Sequence, residues 1–391
     1  MDIHRFELNG MNIVLDVNSG AVHVVDRPVF EALAVYDGGN DEAVAATLAG
    51  GYDAGTVREV LAELGGLVDA GLLFSPAAPV PAALAAAPLV KSLCLHVAHD
   101  CNLRCGYCFA GTGDFGHDRG LMSREVAERA VDFIIANSGR RRNCEVDFFG
   151  GEPLLNMDVV RHTVAYVRRR EAETGKVFKL TLTTNAVLLD DKTIEYLNRE
   201  GISLVLSLDG RREVHDRMRP FADGSGSFGE AAAKAWRAVS SRGGKNYYLR
   251  GTYTAYNLDF AADVLAMADL GFTELSVEPV IGKDADYALR EEHLPALFAE
   301  YEALAREYLE RRRSGMAFEF FHFNLNLDNG PCVAKRLAGC GAGHEYFAVT
   351  PEGELYPCHQ FVGRDEYLLG NVYDGIKKSD IQPLACQGVS A

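Results

Sequence analysis

The chain has 391 residues, 48% hydrophobic and 24% charged, the composition of a globular protein long enough for two or three domains. Its 39 basic and 55 acidic residues leave a formal charge of −16, which argues against nucleic acid as the main partner because phosphate binding needs a cationic face. There is no run of 18 apolar residues and no basic-then-apolar leader, so neither a membrane span nor export is expected.

Residues 1–75 read as a small separate α+β unit. Phe6, Leu8, Met11, Ile13, Leu15 and Val17 follow a period of about two residues, and the turn Asp16–Gly20 leads into a strand over Ala21–Val25. Helical patterns over Val29–Val35, Asp41–Leu48 and Thr56–Ala70 follow, punctuated by Gly50, Gly51 and Gly71. Strands followed by three helices in this length suggest a winged-helix-like module. Residues 76–90, rich in Ala and Pro, read as a semi-rigid linker.

From residue 91 to 313 strand and helix alternate. Strands are expected at Leu93–Ala98, Glu145–Phe149, Lys179–Thr184, Ser203–Leu208, Tyr247–Thr254 and Glu274–Val280. Helices are expected at Ser123–Ala136, Asp158–Arg170, Asp191–Glu200, Phe228–Ser240 and Asp259–Leu270, with a long amphipathic one over Pro295–Arg313. Ser123 suits an N-cap, and Gly201 and Gly271 suit the residue after a helix end. Six such repeats predict an α/β fold of parallel strands with right-handed crossovers, closing into a partial (β/α)6 TIM-like barrel. Residues 314–391 form a loop-rich, cysteine-rich extension, with a hairpin expected over Phe347–Thr350 and Glu354–Tyr356.

Cysteine placement carries the chemistry. Six of the nine cysteines fall in C-x₃-C-x₂-C and C-x₇-C-x₁₇-C groups, which suit a reducing cytoplasm and metal binding better than disulfides. Cys101, Cys105 and Cys108 follow the first barrel strand, at the rim where barrel chemistry sits. Three thiolates on one short loop suit three irons of a 4Fe–4S cluster and leave the fourth open, with a zinc knuckle as the alternative. Gly150-Gly151-Glu152-Pro153 ends the second strand: two glycines for close backbone approach to a ligand, and a carboxylate for an ammonium. Thr184 and Ser207 put hydroxyls at the same rim, and an inward Arg250 would meet a ligand carboxylate. Cys94 and Cys144 read as small buried hydrophobes, and Asp100 and Arg104 as supports of the loop.

The cysteine loop, Gly-Gly-Glu-Pro, Leu182-Thr-Thr-Asn185 and Ser207-Leu-Asp-Gly210, in order on consecutive strands, resemble the radical S-adenosylmethionine (radical SAM) superfamily. The resemblance implies a SAM-binding 4Fe–4S cluster on Cys101, Cys105 and Cys108, whose open iron chelates the methionine end. Reductive cleavage would give a 5′-deoxyadenosyl radical, with an electron donor such as ferredoxin or flavodoxin. It also implies that Glu152 grips the methionine amine, that Ser207 and Thr184 contact the nucleoside, and that Tyr107 and Phe109 shield the cluster or stack near adenine. Cys332, Cys340 and Cys358 resemble a SPASM-type extension with at least one auxiliary 4Fe–4S cluster. Such an extension continues through further cysteines, whereas only Cys386 remains here, so its fourth ligand stays open and a longer parent chain is expected.

Residues 1–73 resemble the leader-binding domain of peptide-maturing radical enzymes. Across its length the chain is similar to SCIFF-peptide maturases, through Val14–Asp26, His215-Asp-Arg-Met-Arg-Pro220 and Glu345–Gly363. That resemblance implies thioether crosslinks installed from Cys residues of a ribosomally made precursor peptide. An anaerobic sulfatase-maturase-like oxidase and a non-catalytic metal scaffold are the alternatives.

Overall fold

The computed structural model describes residues 3–77, 88–116, 118–282, 285–324 and 340–377. They form two compact units, one built by residues 3–77 and the other by the described residues from 88 onward. Among the described residues no helix is long and apolar enough to cross a membrane.

In the first unit β1 (Ile3–Leu8), β2 (Met11–Asp16) and β3 (Val22–Val25) form an antiparallel sheet in that order. Asn9 and Gly10 join β1 to β2 with φ of 51° and 75°, the left-handed pair that matches strand twist in a two-residue hairpin. Three helices follow: α1 (Arg27–Ala32), α2 (Asp41–Leu48) and α3 (Ala54–Asp69), N-capped by the side chains of Asp26, Asn40 and Asp53. The first is shorter than the sequence pattern predicts. Val14, Val29, Val44, Leu48 and Leu64 close the core between sheet and helices.

The second unit carries β4 (Ser92–His99), β5 (Gly120–Leu121), α4 (Arg124–Asn137), β6 (Asn143–Gly150), α5 (Met157–Thr174), β7 (Val177–Thr184) and α6 (Asp191–Arg199). Next come β8 (Ser203–Ser207), α7 (Arg212–Met218), α8 (Phe228–Ser241), β9 (Tyr247–Tyr253), α9 (Phe260–Asp269), β10 (Glu274–Pro279) and α10 (Leu294–Arg313). The last strands are β11 (Glu319–Phe320), β12 (Tyr346–Val349), β13 (Glu354–Tyr356), β14 (Gly370–Asn371) and β15 (Gly375–Ile376). The six long strands lie within two residues of their expected bounds and run parallel in the order β4-β6-β7-β8-β9-β10. The expected caps are present too: Ser123 accepts from Val126 N, and Gly201 and Gly271 take φ of 68° and 91° after α6 and α9.

Two features depart from the sequence reading. Residues 212–218, to which the sequence reading assigns no element, form α7. The tail hairpin joins the main sheet, β12 lying parallel to β4 with Tyr346 opposite Ser92 and Ala348 opposite Cys94.

Alternation sets up the site. Val146, Phe148, Leu180, Leu182, Leu204, Leu206 and Leu249 point to the helix-covered face and are buried, each worth about 1.5–3 kcal/mol of hydrophobic stabilisation. The opposite face carries Asp147, Thr183, Ser207, Arg250 and Glu278, half-buried or exposed. Such a face is built to meet a polar ligand. Strand β4 is buried on both faces; the tail hairpin pairs along its edge, and on its inner side Cys94 packs with Ala110, Phe115, Ala348, Tyr356 and Val362.

Candidate active site

The cysteine loop leaves the C-terminal end of β4 and is tied down from several sides. Asp100 Oδ1 accepts from Cys101 N at 2.8 Å, and Arg104 donates to the carbonyls of Cys101 and Leu103 at 2.6 and 2.7 Å. Asn185, at the end of β7, donates to Asn102 Oδ1 at 2.8 Å and lies 3.8 Å from Cys101 Sγ. The segment after α7 straps the far side: Gly106 N donates to Met218 O and Arg104 N to Pro220 O, both at 2.8 Å, and Leu103 bridges Phe221. The three thiols are free and half-buried.

The Gly-Gly-Glu-Pro turn presses against that loop. Gly151 N donates to Ala98 O at 2.8 Å and Glu152 N to Asp100 O at 2.9 Å. A Cβ on Gly150 would lie 2.2 Å from Ala98 O, and one on Gly151 would lie 2.2 Å from Asp100 O. The close approach these glycines permit is therefore to the backbone of the cysteine loop. Pro153 is buried and opens the single helical turn before α5.

Glu152 is fully buried, and its carboxyl accepts from Thr184 Oγ1 at 2.7 Å, Asn185 N at 2.9 Å and Leu154 N at 3.0 Å. Thr184 is 1% exposed and faces the helix side. These two side chains join the ends of β6 and β7 beneath the loop. Burial pushes the Glu152 carboxyl up to about 7, its three donors working against that shift.

Ser207 and Arg250 stand opposite each other across β8 and β9, on the open face. Arg250 acts there on two carboxylates. Asp147, pushed up to about 7 by burial, is held back by the Thr183 hydroxyl and Arg250. Glu278, paired with His322 Nε2 at 3.0 Å, is drawn down to about 2 by His322 first and then by the Ser276 hydroxyl and Arg250. A cavity of about 330 Å³, lined by Ser92, Glu145, Asp147, Lys179, Thr181 and Tyr346, opens toward the strand starts on this face.

Sequence reasoning assigned no role to Arg219 or Asp209. Tyr107 OH donates to Asp209 Oδ2 at 2.5 Å, and Arg219 Nε donates to Asp209 Oδ1 at 3.0 Å. The Arg219 guanidinium carbon also lies 5.3 Å from the centroid of the Tyr107 ring. Both residues stood in stretches singled out for resemblance, but only the fold brings them together. Phe109 is exposed, its ring against Phe115 and His359. His99 is fully buried and contacts His96 at 3.1 Å.

In the tail, β12 and β13 bring Cys340 and Cys358 close enough for their charges to interact, with Gly343 N donating to Pro357 O at 3.1 Å. His359 Nδ1 lies 2.9 Å from Tyr346 OH and 3.6 Å from Cys358 Sγ. Cys332 and Cys386 lie outside the described residues. Cys94 and Cys144 are buried, as expected.

The loop suits an iron–sulfur cluster. Burial pushes the Cys101 thiol up to about 12 and that of Cys105 up to about 11, and raises Cys108 as well. Thiols so placed become thiolates only against a strongly cationic centre. The Asn102 side-chain nitrogen is buried without a partner beside Cys101, a donor of the kind sulfur acceptors need. Among the described residues no three His, Cys, Asp or Glu side chains converge as for a single ion.

The family model of the radical SAM superfamily matches residues 95–246. A cysteine-type anaerobic sulfatase-maturating enzyme of Clostridium novyi is 24% identical over 302 residues, covering 72% of this chain and 77% of that protein. Among solved structures, native anSMEcpe with bound AdoMet aligns over 76% of this chain and 82% of its own, at 21% identity and a TM-score of 0.63. Streptococcus suis SuiB bound to precursor peptide SuiA aligns over 99% of this chain and 89% of its own, at 17% identity and a TM-score of 0.52. The radical SAM superfamily is supported by the family model over residues 95–246 and by the sequence relatives, and the likeness to solved structures supports the fold. The chain is an enzyme whose residues 95–246 are similar to that superfamily, a likeness that implies a 4Fe–4S cluster and SAM, and its relatives include maturases.

Proposed function

We propose that the chain is a peptide maturase of the SCIFF type, installing thioether crosslinks from Cys residues of a ribosomally made precursor peptide. One observation carries this reading: a three-cysteine loop clamped between the Gly150–Pro153 turn and the Met218–Phe221 strap, at the C-terminal ends of parallel strands. In this reading residues 1–75 are a winged-helix-like leader-binding module, 91–313 a partial barrel, and 314–391 a SPASM-type extension. Cys101, Cys105 and Cys108 hold three irons, and Cys332, Cys340 and Cys358 hold an auxiliary cluster.

When bound, the first cluster supplies the electron that cleaves SAM. The chain's own residues bind and orient. Ser207 and Arg250 meet the polar parts of SAM, Glu152 and Thr184 brace the loop from below, and Tyr107 closes its side through Asp209. Ferredoxin or flavodoxin serves as donor, and the setting is cytoplasmic.

A leader role for the first unit is supported by β3, which has no strand on its outer edge among the described residues and exposes Val22 and Val24. An extended peptide adds to such an edge through main-chain hydrogen bonds. The likeness to SuiB, which spans 99% of the chain and so includes this unit, favours a peptide maturase over the sulfatase-maturase-like oxidase that the Clostridium novyi relative suggests.

The test is anaerobic incubation with a cysteine-rich precursor peptide, SAM and dithionite, read by mass spectrometry. Each thioether replaces one C–H and one S–H by a C–S bond, so two hydrogens are lost; an unchanged mass ends the thioether reading. Deleting residues 1–75 should lower peptide processing at least tenfold while SAM cleavage continues, and undiminished processing would favour the leader-independent oxidase. Replacing Cys340 or Cys358 by Ala should spare abortive SAM cleavage and block peptide modification. Normal processing by those variants removes the auxiliary cluster from the scheme.

A further inference from the structure

Around α7 the charge of the chain changes sign. The protein as a whole carries −16, yet residues 211–219 hold four arginines against two carboxylates, Glu213 and Asp216, which leaves +2. Two of these arginines pair within the fold, Arg211 with Asp259 and Asp263 and Arg219 with Asp209. Arg212 and Arg217 are exposed, while His215 and Met218 are buried, so α7 has a core side and an arginine-bearing outer side. The carboxylates of that outer side are already engaged: Asp216 lies 3.9 Å from Arg212 and accepts from Phe228 N, and Glu213 lies 3.9 Å from Arg211.

Both outer arginines are held over rings. The Arg217 guanidinium carbon lies 3.6 Å from the centroid of Tyr256, a ring 41% exposed, and that of Arg212 lies 4.9 Å from the centroid of Phe228. Stacking of this kind fixes a long side chain in advance, so less freedom is lost when an anionic partner arrives. Among the described residues Arg217 pairs with no carboxylate, and its charge stays available. Arginine and tyrosine together are the residues that most often anchor a protein interface. This face also lies directly against the cysteine loop. Gly106 N donates to Met218 O and Arg104 N to Pro220 O, both at 2.8 Å, and Gly106 is exposed beside Cys105. A protein seated on α7 is thus one layer of backbone from Cys105.

We propose that the outer side of α7, Arg217 over Tyr256 together with Arg212, is the docking surface for a small acidic protein that carries one electron, and that the electron reaches the cluster from the Cys105 side. The inference rests on the reading of Cys101, Cys105 and Cys108 as cluster ligands and adds where the reductant binds. Its physical basis is charge complementarity. A chain of −16 repels an acidic carrier at long range, and cations gathered beside the loop favour the one approach that leads to the electron's destination. One electron leaves the carrier, which is oxidised, and enters the cluster, which is reduced; no bond forms or breaks and no proton moves.

The test gives anaerobically reconstituted full-length protein two reductants: photoreduced flavodoxin, an acidic one-electron carrier, and dithionite, which is too small to need a docking surface. Formation of 5′-deoxyadenosine is followed with each, and binding of oxidised flavodoxin is measured separately by calorimetry. At low salt Arg217→Glu should weaken flavodoxin binding and lower the flavodoxin-driven rate, each about tenfold, with iron content and the dithionite-driven rate unchanged. Arg217→Lys should keep most of both, because the charge remains. Salt at about 1 M, where the screening length falls to about 3 Å, should erase the difference between Arg217→Glu and wild type. An iron-replete Arg217→Glu sample that binds flavodoxin and takes its electron as wild type does overturns the proposal. So does an equal loss with both reductants, which would make this face a site for peptide or SAM instead.

If Arg217→Glu does not retain iron, Arg212→Glu decides by the same two readouts. It should lower flavodoxin binding and the flavodoxin-driven rate about threefold and leave the dithionite-driven rate alone; unchanged binding and rate overturn the proposal equally. Wild-type protein that cleaves SAM with dithionite but accepts electrons from neither flavodoxin nor an acidic ferredoxin overturns it too. Wild-type protein that cleaves no SAM with dithionite would defeat the proposed function itself, an outcome distinct from all of these.

Discussion

Replacing any one of Cys101, Cys105 or Cys108 by Ala is expected to reduce SAM cleavage to the uncatalysed background. The three thiols lie on one loop between β4 and β5, with no fourth cysteine beside them in sequence, so each removal leaves an iron without its protein ligand. Cluster loss should follow, read as iron content falling by more than half, together with the absence of 5′-deoxyadenosine. Cys144→Ala is the matched control. Its thiol is buried in the hydrophobic core rather than on the loop, so it should lose about 1 kcal/mol of stability and keep its iron. Full cleavage activity in any of the three loop variants would mean that the loop is not the catalytic centre.

Gly151→Ala should be nearly as damaging, although it removes no ligand. The new methyl would lie 2.2 Å from Asp100 O, 2.6 Å from Asp100 C and 2.9 Å from Gly113 O, all backbone atoms of the cysteine loop. Backbone on both sides of the loop would have to move, and the hydrogen bonds from Gly151 N to Ala98 O and from Glu152 N to Asp100 O would stretch. Overpacking of this kind destabilises by about 1–3 kcal/mol. Its larger effect is displacement of Cys101, one residue from the clash, so iron content should fall severalfold. Gly66→Ala is the control: it lies within α3 with nothing within 4 Å of its Cβ and should be neutral or stabilising by up to about 1 kcal/mol. Undiminished iron and cleavage in Gly151→Ala would show that the loop does not depend on the turn.

The same contact explains why Gly-Gly-Glu-Pro was only partly legible. A glycine pair after a strand announces close approach but does not name the approaching partner. From the sequence a ligand was the expected neighbour, and the fold supplies the backbone at Ala98 and Asp100. Glu152 is similar. Its carboxylate was visible, but its direction depends on Thr184 and Asn185, more than thirty residues away.

What the sequence determined by itself is local. Period-two alternation placed the six parallel strands, capping residues placed helices such as α4, and close spacing placed three thiols on one loop. These follow from backbone geometry and short-range hydrogen bonding, which a few neighbouring residues suffice to specify. Tertiary structure alone decided which side chains serve that loop. Tyr107 meets Asp209 across 102 positions, Arg219 turns inward onto Asp209, and β12 sets Ala348 beside Cys94 by pairing with β4. Such contacts arise from burial and strand order, where distant residues compete for one interior, and no local pattern encodes the winner.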